Sequence, residues 1–176
     1  MKAERTFLAR DTRTVARDLL GCHLVRRVGD EQIRIRLTET EAYRGTDDPA
    51  SHASRAVTPR NRFMFGEVGI LYVYLIYGLH HCMNIIAHED GGVGAVLLRG
   101  GELLEGHEDK LVKRIDGPGR LAKAMGIDLQ WNGHDLMHSA DQNLWLERAE
   151  TSRSIQVTPR IGITKAVDYP WRYVLE

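Results

Sequence analysis

Ile33-Arg34-Ile35-Arg36-Leu37-Thr38-Glu39-Thr40-Glu41-Ala42-Tyr43 is the stretch that decides the fold, because its alternation outlasts its apolar residues. At a period of two, Ile33, Ile35 and Leu37 share one face, and Arg34, Arg36, Thr38 and Thr40 share the other. Continued at the same period, the apolar face runs on through Glu39, Glu41 and Tyr43. A strand whose inward face passes from core residues to two carboxylates and a phenol either buries unpaired charge or ends in a pocket where those groups are used. The pocket is favoured; the competing possibility is a strand that emerges at a sheet edge with both carboxylates in water.

Working outward, Gly29-Asp30 turns a preceding strand, His23-Leu24-Val25-Arg26-Arg27-Val28, into this one as a hairpin. Before it, Asp11 is placed to cap a helix with Val15, Ala16, Leu19 and Leu20 on one face and Gly21 as its stop. After Tyr43, Asp48-Pro49 gives an N-cap followed by proline at the first helical position, which puts His52 in the first turns of a short helix near the end of the strand. Thr58-Pro59-Arg60-Asn61 repeats that signal in a locally basic stretch containing Arg55, Arg60 and Arg62. The block Gly69 to Ala87, rich in aromatic and β-branched residues and broken at Tyr77-Gly78, predicts a second hairpin. Tyr72 and Tyr74 share a face there, and Tyr77 lies at the tip, where an aromatic has little core to enter and a wedge between stacked bases is one partner that fits.

Ala95-Val96-Leu97-Leu98 reads as a buried strand ending at Arg99, and Glu102 to Arg114 as a charged stretch with helical spacing. Asp116-Gly117-Pro118-Gly119 opens a helix that runs from Arg120 to Met125 and stops at Gly126. Three further strands are expected at Leu144-Trp145-Leu146, Ile155-Gln156-Val157 and Arg172-Tyr173-Val174-Leu175. His134 and His138 have the spacing of a metal pair without the glutamate of a zinc-protease pattern, and His80-His81-Cys82 puts neighbouring side chains on opposite faces, so no metal is expected.

The 176 residues suit one domain, and 24 Lys and Arg against 24 Asp and Glu leave no net charge to signal nucleic-acid binding by the whole protein. Any such binding would have to come from a local patch. The start lacks the apolar core of a signal peptide and no run spans a membrane, which points to a soluble cytoplasmic protein. Cys22 and Cys82 are read as reduced, small hydrophobes.

Taken together, Glu39-Thr40-Glu41-Ala42-Tyr43, Thr58-Pro59-Arg60-Asn61-Arg62, Leu71-Tyr72-Val73-Tyr74-Leu75-Ile76-Tyr77-Gly78, Cys82-Met83-Asn84 and Val96-Leu97-Leu98-Arg99 resemble the alkyladenine DNA glycosylases, also called 3-methyladenine or methylpurine DNA glycosylases. The likeness runs from about Asp11 through Gly126 and returns, more weakly, across Pro159-Arg160-Ile161-Gly162-Ile163. It implies an α+β (mixed α/β) fold: a single domain, residues 1–176, with a curved antiparallel β-sheet, flanking helices and a protruding β-hairpin. It also implies monofunctional hydrolysis of the N-glycosidic bond of damaged purines, with no cofactor and no metal. On this resemblance Glu41 is the general base, Tyr43, His52 and Tyr74 wall the pocket for a flipped base, and Tyr77 fills the gap in the duplex. Asn84 disfavours normal guanine through its exocyclic amine, and Arg99 lies near the water and the backbone. The His80-His81 pair and the turn His88-Glu89-Asp90-Gly91-Gly92 depart from the family pattern.

The expected partner is therefore double-stranded DNA containing damaged purines, met by a monomer near the nucleoid of a bacterium. Two other readings stay open at this point. A hydrolase of free nucleosides would share the carboxylate and the aromatics but have no use for Tyr77 at a tip. A non-enzymatic module that stacks nucleic acid on its aromatic hairpin would have little reason to keep Glu41, which repels phosphate.

Overall fold

The computed structural model describes residues 1–106, 114–138 and 143–176. The architecture is α+β, with one curled antiparallel sheet and a few short helices. Helix α1 is a single turn, Arg5–Leu8, and α2 occupies Thr12–Asp18, where the Asp11 carboxylate accepts from the N–H groups of Arg13 and Thr14. That cap and the buried face of Val15, Ala16, Leu19 and Leu20 agree with the sequence; α1 carries no side-chain cap to announce it. The strands are β1 (His23–Val28), β2 (Glu31–Tyr43), β3 (Leu71–Ile76), β4 (His80–Ile86), β5 (Ala95–Glu105), β6 (Arg114–Asp116), β7 (Leu144–Glu147), β8 (Ile155–Thr158) and β9 (Arg172–Leu175). Helix α3, Pro118–Met125, ends at Gly126 in the left-handed region, as its proline and glycine predict.

The main path through the sheet is β3-β4-β5-β2-β1-β7, with β6 on β5 and the β8–β9 hairpin on β2. Strand β2 organises it. One edge of β2 pairs with β5 from Arg34 to Tyr43; the other pairs with β1 up to Arg36 and then with β9 from Glu39 to Glu41. The core lies beneath, between the sheet and α2, with Leu19, Leu24, Ile35, Leu37, Ile85 and Leu98 all shielded from solvent.

The period-two face of β2 does not continue past Leu37 as the alternation predicted. Leu37 pairs with Gly101, Glu39 with Gly100, and Thr40 with Leu98, so Thr38 on β2 and Arg99 on β5 are each an extra residue in the ladder. Two facing bulges flip the parity of both strands. Ile35 and Leu37 point into the core before them, whereas Thr40 and Ala42 do so after them, and the Thr40 hydroxyl donates to the Ala16 carbonyl of α2 at 2.7 Å. Glu39, Glu41 and Tyr43 are thereby turned to the opposite side of the sheet. The glycine pair makes the crossing possible, since a Cβ on Gly101 would stand 2.3 Å from Ile35 Cγ2 and 2.9 Å from the Arg36 carbonyl oxygen.

Three local expectations are corrected. Asp48-Pro49 starts no helix: the chain around it runs through successive turns closed by Asp48 N–H to Gly45 O, Ser51 N–H to Asp48 O and Ser54 N–H to Ser51 O. Its carboxylate is taken by the guanidinium of Arg160. At Thr58-Pro59 the caps are reciprocal, Thr58 N–H to Asn61 Oδ1 and Asn61 N–H to Thr58 Oγ1, and lead to a 3-10 turn at Arg62–Phe65. Strand β5 continues past Arg99 to Glu105, because β2 offers it a ladder there; of the stretch assigned helical spacing, residues 107–113 lie outside the described residues.

The β3–β4 hairpin forms as predicted and protrudes. Tyr77 (φ 51°) and Gly78 (φ 65°) make the turn, closed by Leu79 N–H on the Ile76 carbonyl, and Tyr77 is 89% exposed. Cys22 and Cys82 are both buried and unbridged. Among the described residues no helix is long and apolar enough to cross a membrane.

Candidate active site

Register places the site. Cross-strand partners share a face of the sheet, and one row runs Tyr72 on β3, Asn84 on β4, Leu97 on β5, Glu41 on β2 and Arg172 on β9. Above it lies a cavity of about 830 Å³, walled by Tyr43, His52, Tyr72, Tyr74, Asn84 and Arg99 and closed along one side by residues 161–165. It extends along the hairpin to Tyr77. Six of the seven residues singled out from sequence thus meet at one cavity, and the seventh, Glu41, lies behind the residues that line it.

Glu41 is fully buried, and both its oxygens are held. Oε2 accepts from the Tyr43 hydroxyl at 2.8 Å and Oε1 from the Ile161 N–H at 2.7 Å. Burial pushes its pKa above the ordinary carboxylate value, opposed by the Arg99 charge and then by those two donors. The Tyr43 phenol is pushed up by burial and by the neighbouring Glu41 carboxylate, so it stays protonated and remains a donor. Glu39 has a different environment: its Oε1 accepts from Arg99 Nε at 2.9 Å and from Arg172 Nε at 2.7 Å.

The walls are aromatic. His52 Nδ1 lies 3.1 Å from the Tyr72 hydroxyl, its ring meets Tyr74 edge-on with centroids 4.8 Å apart, and Tyr72 and Tyr74 are 5.3 Å apart. Burial lowers the His52 pKa, with the Arg60 charge adding to the shift, so the ring is neutral near pH 7. The Arg60 guanidinium sits 5.4 Å from the Tyr74 ring centroid. Asn84 is buried and its amide donates to the Tyr72 carbonyl at 3.1 Å, which fixes its orientation on the wall. Such a cavity suits a flat, electron-poor ring.

Sequence reasoning gave no site role to Tyr72 or to residues 161–165, and read Arg60 only as part of a basic stretch. Tyr72 was legible as a face-mate of Tyr74, but the others reach the cavity only through tertiary pairing. Of the histidines outside the site, His134 uses Nε2 on the Leu144 carbonyl at 3.1 Å and stacks edge-on against Trp131.

Residues 6–176 match the family profile described as methylpurine-DNA glycosylase (MPG). A relative from an Anaeromyxobacter species is 46% identical over 181 residues, covering 100% of this chain and 90% of its own length. Another, from Methanocella arvoryzae, is 42% identical and covers 96% of this chain and 90% of its own length. A third, from Trichodesmium erythraeum, is 42% identical over 98% of this chain and 92% of its own length. All three are named as proposed 3-methyladenine DNA glycosylases.

Proposed function

This chain belongs to the methylpurine-DNA glycosylase family, and on that premise we propose that it flips alkylated or deaminated purines out of duplex DNA and hydrolyses their N-glycosidic bond. The observation that carries the reading is a buried, doubly held carboxylate, Glu41, directly behind the lining of an aromatic cavity that runs to an exposed tip aromatic, Tyr77.

In this scheme the damaged base leaves the stack at a cost of a few kcal/mol and enters the cavity, while Tyr77 occupies the vacated place. Tyr43, His52 and Tyr74 form its walls. A cationic alkylpurine over an aromatic face gains on the order of 1–2 kcal/mol when desolvated, which favours damaged over normal bases. Asn84, fixed on the Tyr72 carbonyl, opposes the exocyclic amine of guanine. As the C1′–N bond breaks, its electron pair leaves with the base and positive charge develops at C1′. Glu41 stabilises that charge and takes the proton of the water whose oxygen bonds to C1′. Arg99 lies beside both the water and the DNA backbone. Because water and no amine attacks C1′, the product is an abasic site in an intact strand, with no lyase step after it. The chain does this as a monomer and without a cofactor.

The test is release of free base from duplexes carrying 3-methyladenine, 7-methylguanine, hypoxanthine or etheno-adenine, with strand cleavage scored before and after alkali. Base release with strands intact until alkali is the expected result. Activity on free nucleosides and none on duplexes would replace this reading with a nucleoside hydrolase.

A further inference from the structure

An ion pair that the reaction scheme does not use sits directly behind the site. The side chains of Arg160 and Asp48 are both 0% exposed. Arg160 Nη1 and Nη2 donate to Asp48 Oδ2 and Oδ1 at 2.7 and 2.8 Å, and Nη1 also donates to the Ala42 carbonyl at 2.9 Å. Asp48 is held from its other side by the N–H groups of Arg44 and Ala50 at 3.0 and 3.2 Å. The guanidinium lies 4.7 Å from the centroid of the Tyr43 ring and 5.0 Å from that of Trp171. Taking both charges out of water cancels much of what their attraction contributes to stability, so the pair is better explained by what it holds in place. The next residue in the chain is Ile161, whose N–H reaches Glu41 Oε1.

We propose that Arg160 is a positioning residue for base removal: clamped by Asp48 and the Ala42 carbonyl, it fixes the Ile161 N–H on Glu41 and backs the ring of Tyr43, whose hydroxyl holds the other oxygen. This role rests on the assignment of Glu41 as the base. With both oxygens tied, the carboxylate has one orientation, set from the 160–165 segment on one side and from β2 on the other. The groups facing Glu41 are the Tyr43 hydroxyl and Glu39 of β2, Arg99 of β5, the Cys82 thiol of β4 and the Ile161 N–H. Arg172 of β9 reaches Glu39 instead. The Ile161 N–H bond favours the anion, so loosening it raises the Glu41 pKa and moves the acid limb of the rate to higher pH.

The experiment is single-turnover base release from a lesion duplex across pH by wild type and Arg160→Lys, which keeps the charge and loses the planar fork. Expected are a rate loss of about 10²-fold, little change in duplex affinity and an acid limb displaced upward. An unchanged rate and acid limb in Arg160→Lys, even with a lower melting temperature, would show a structural role only and overturn the inference. Because substitution at a buried pair can prevent folding, amide exchange of Ile161 in the unaltered enzyme supplies a second measurement. Strong protection supports the clamp, and exchange at the free-peptide rate overturns it. Wild type that releases no base removes the glycosylase reading and this role with it; active wild type with an indifferent Arg160→Lys removes only this role.

Discussion

Arg99 Nε lies 2.9 Å from Glu39 Oε1 and 3.6 Å from Glu41 Oε1, so the guanidinium is hydrogen-bonded to one carboxylate and only adjacent to the other. Glu39 therefore tempers the charge that Glu41 feels. With Arg172 also on Glu39, two arginines and two carboxylates balance in a nearly closed volume, the four side chains being 0–19% exposed.

Glu41→Gln is expected to slow base release by about 10²–10⁴-fold with lesion-DNA binding nearly intact, the usual cost of losing a general base. Glu39→Gln is expected to cost less and to act differently. It frees Arg99 to pair with Glu41, which lowers the Glu41 pKa and shifts the acid limb to lower pH. Single-turnover pH profiles of both variants check this; equal losses with no displacement in Glu39→Gln would contradict it.

Stability should respond to pH with the opposite sign from a salt-bridged acid. Burial raises the Glu41 pKa in the folded state above the unfolded value of about 4.5. Its contribution is therefore fully present below that value and lost as pH rises through the folded pKa. Melting curves of wild type and Glu41→Gln between about pH 4 and 8 should show the glutamine variant gaining relative to wild type as pH rises. A constant offset would mean that Glu41 titrates alike in both states.

At the hairpin tip, the proposed role and the backbone preference conflict. Tyr77 has φ 51°, a left-handed conformation that costs a non-glycine residue about 1–2 kcal/mol. Its 89% exposure leaves little packing to offset that. Tyr77→Gly should raise the melting temperature by about 2–4 °C while weakening the flipped state in duplex DNA by about 1–3 kcal/mol. Excision from single-stranded substrate should change little. Equal losses on both substrates would rule out the wedge.

Asn84→Ser should raise excision of guanine-derived lesions relative to adenine-derived ones, because it removes an amide held rigidly against the cavity by the Tyr72 carbonyl. The readout is the ratio of the two rates in one enzyme preparation. An unchanged ratio would leave Asn84 a structural bridge between β3 and β4.

Gly101→Ala would push a methyl group into Ile35 and the Arg36 carbonyl. A loss of about 1–3 kcal/mol in stability is expected from overpacking. Because the strain falls at the facing bulges, base release should fall further than the fraction unfolded accounts for. Denaturant melts together with rates per folded molecule would separate the two effects.

Much of this site was legible in the chain. Alternation delivered Glu39, Glu41 and Tyr43 as one face, and Gly78 marked the tip because it interrupts a run of aromatic and β-branched residues. The parity flip was not legible: a bulge is a property of two strands, and nothing local in Thr38 or Arg99 states that each will lack a partner. Asp48 misled because an aspartate before proline has the chemistry of a helix cap, and the guanidinium that claims it arrives from Arg160, 112 residues later. The contact of Ile161 with Glu41 was invisible for a simpler reason, since it is made by a backbone N–H and any residue but proline carries one.

The handover on the outer edge of β2, from β1 to β9, completes the site with segments far along the chain. The hairpin tip, the aromatic walls and Glu41 all leave the ribosome well before Arg160, Ile161 and Arg172. Until residues 160–172 dock, a growing chain lacks the N–H that holds Glu41 and the guanidinium that pairs with Glu39, so the two carboxylates are fixed only by segments made long after them.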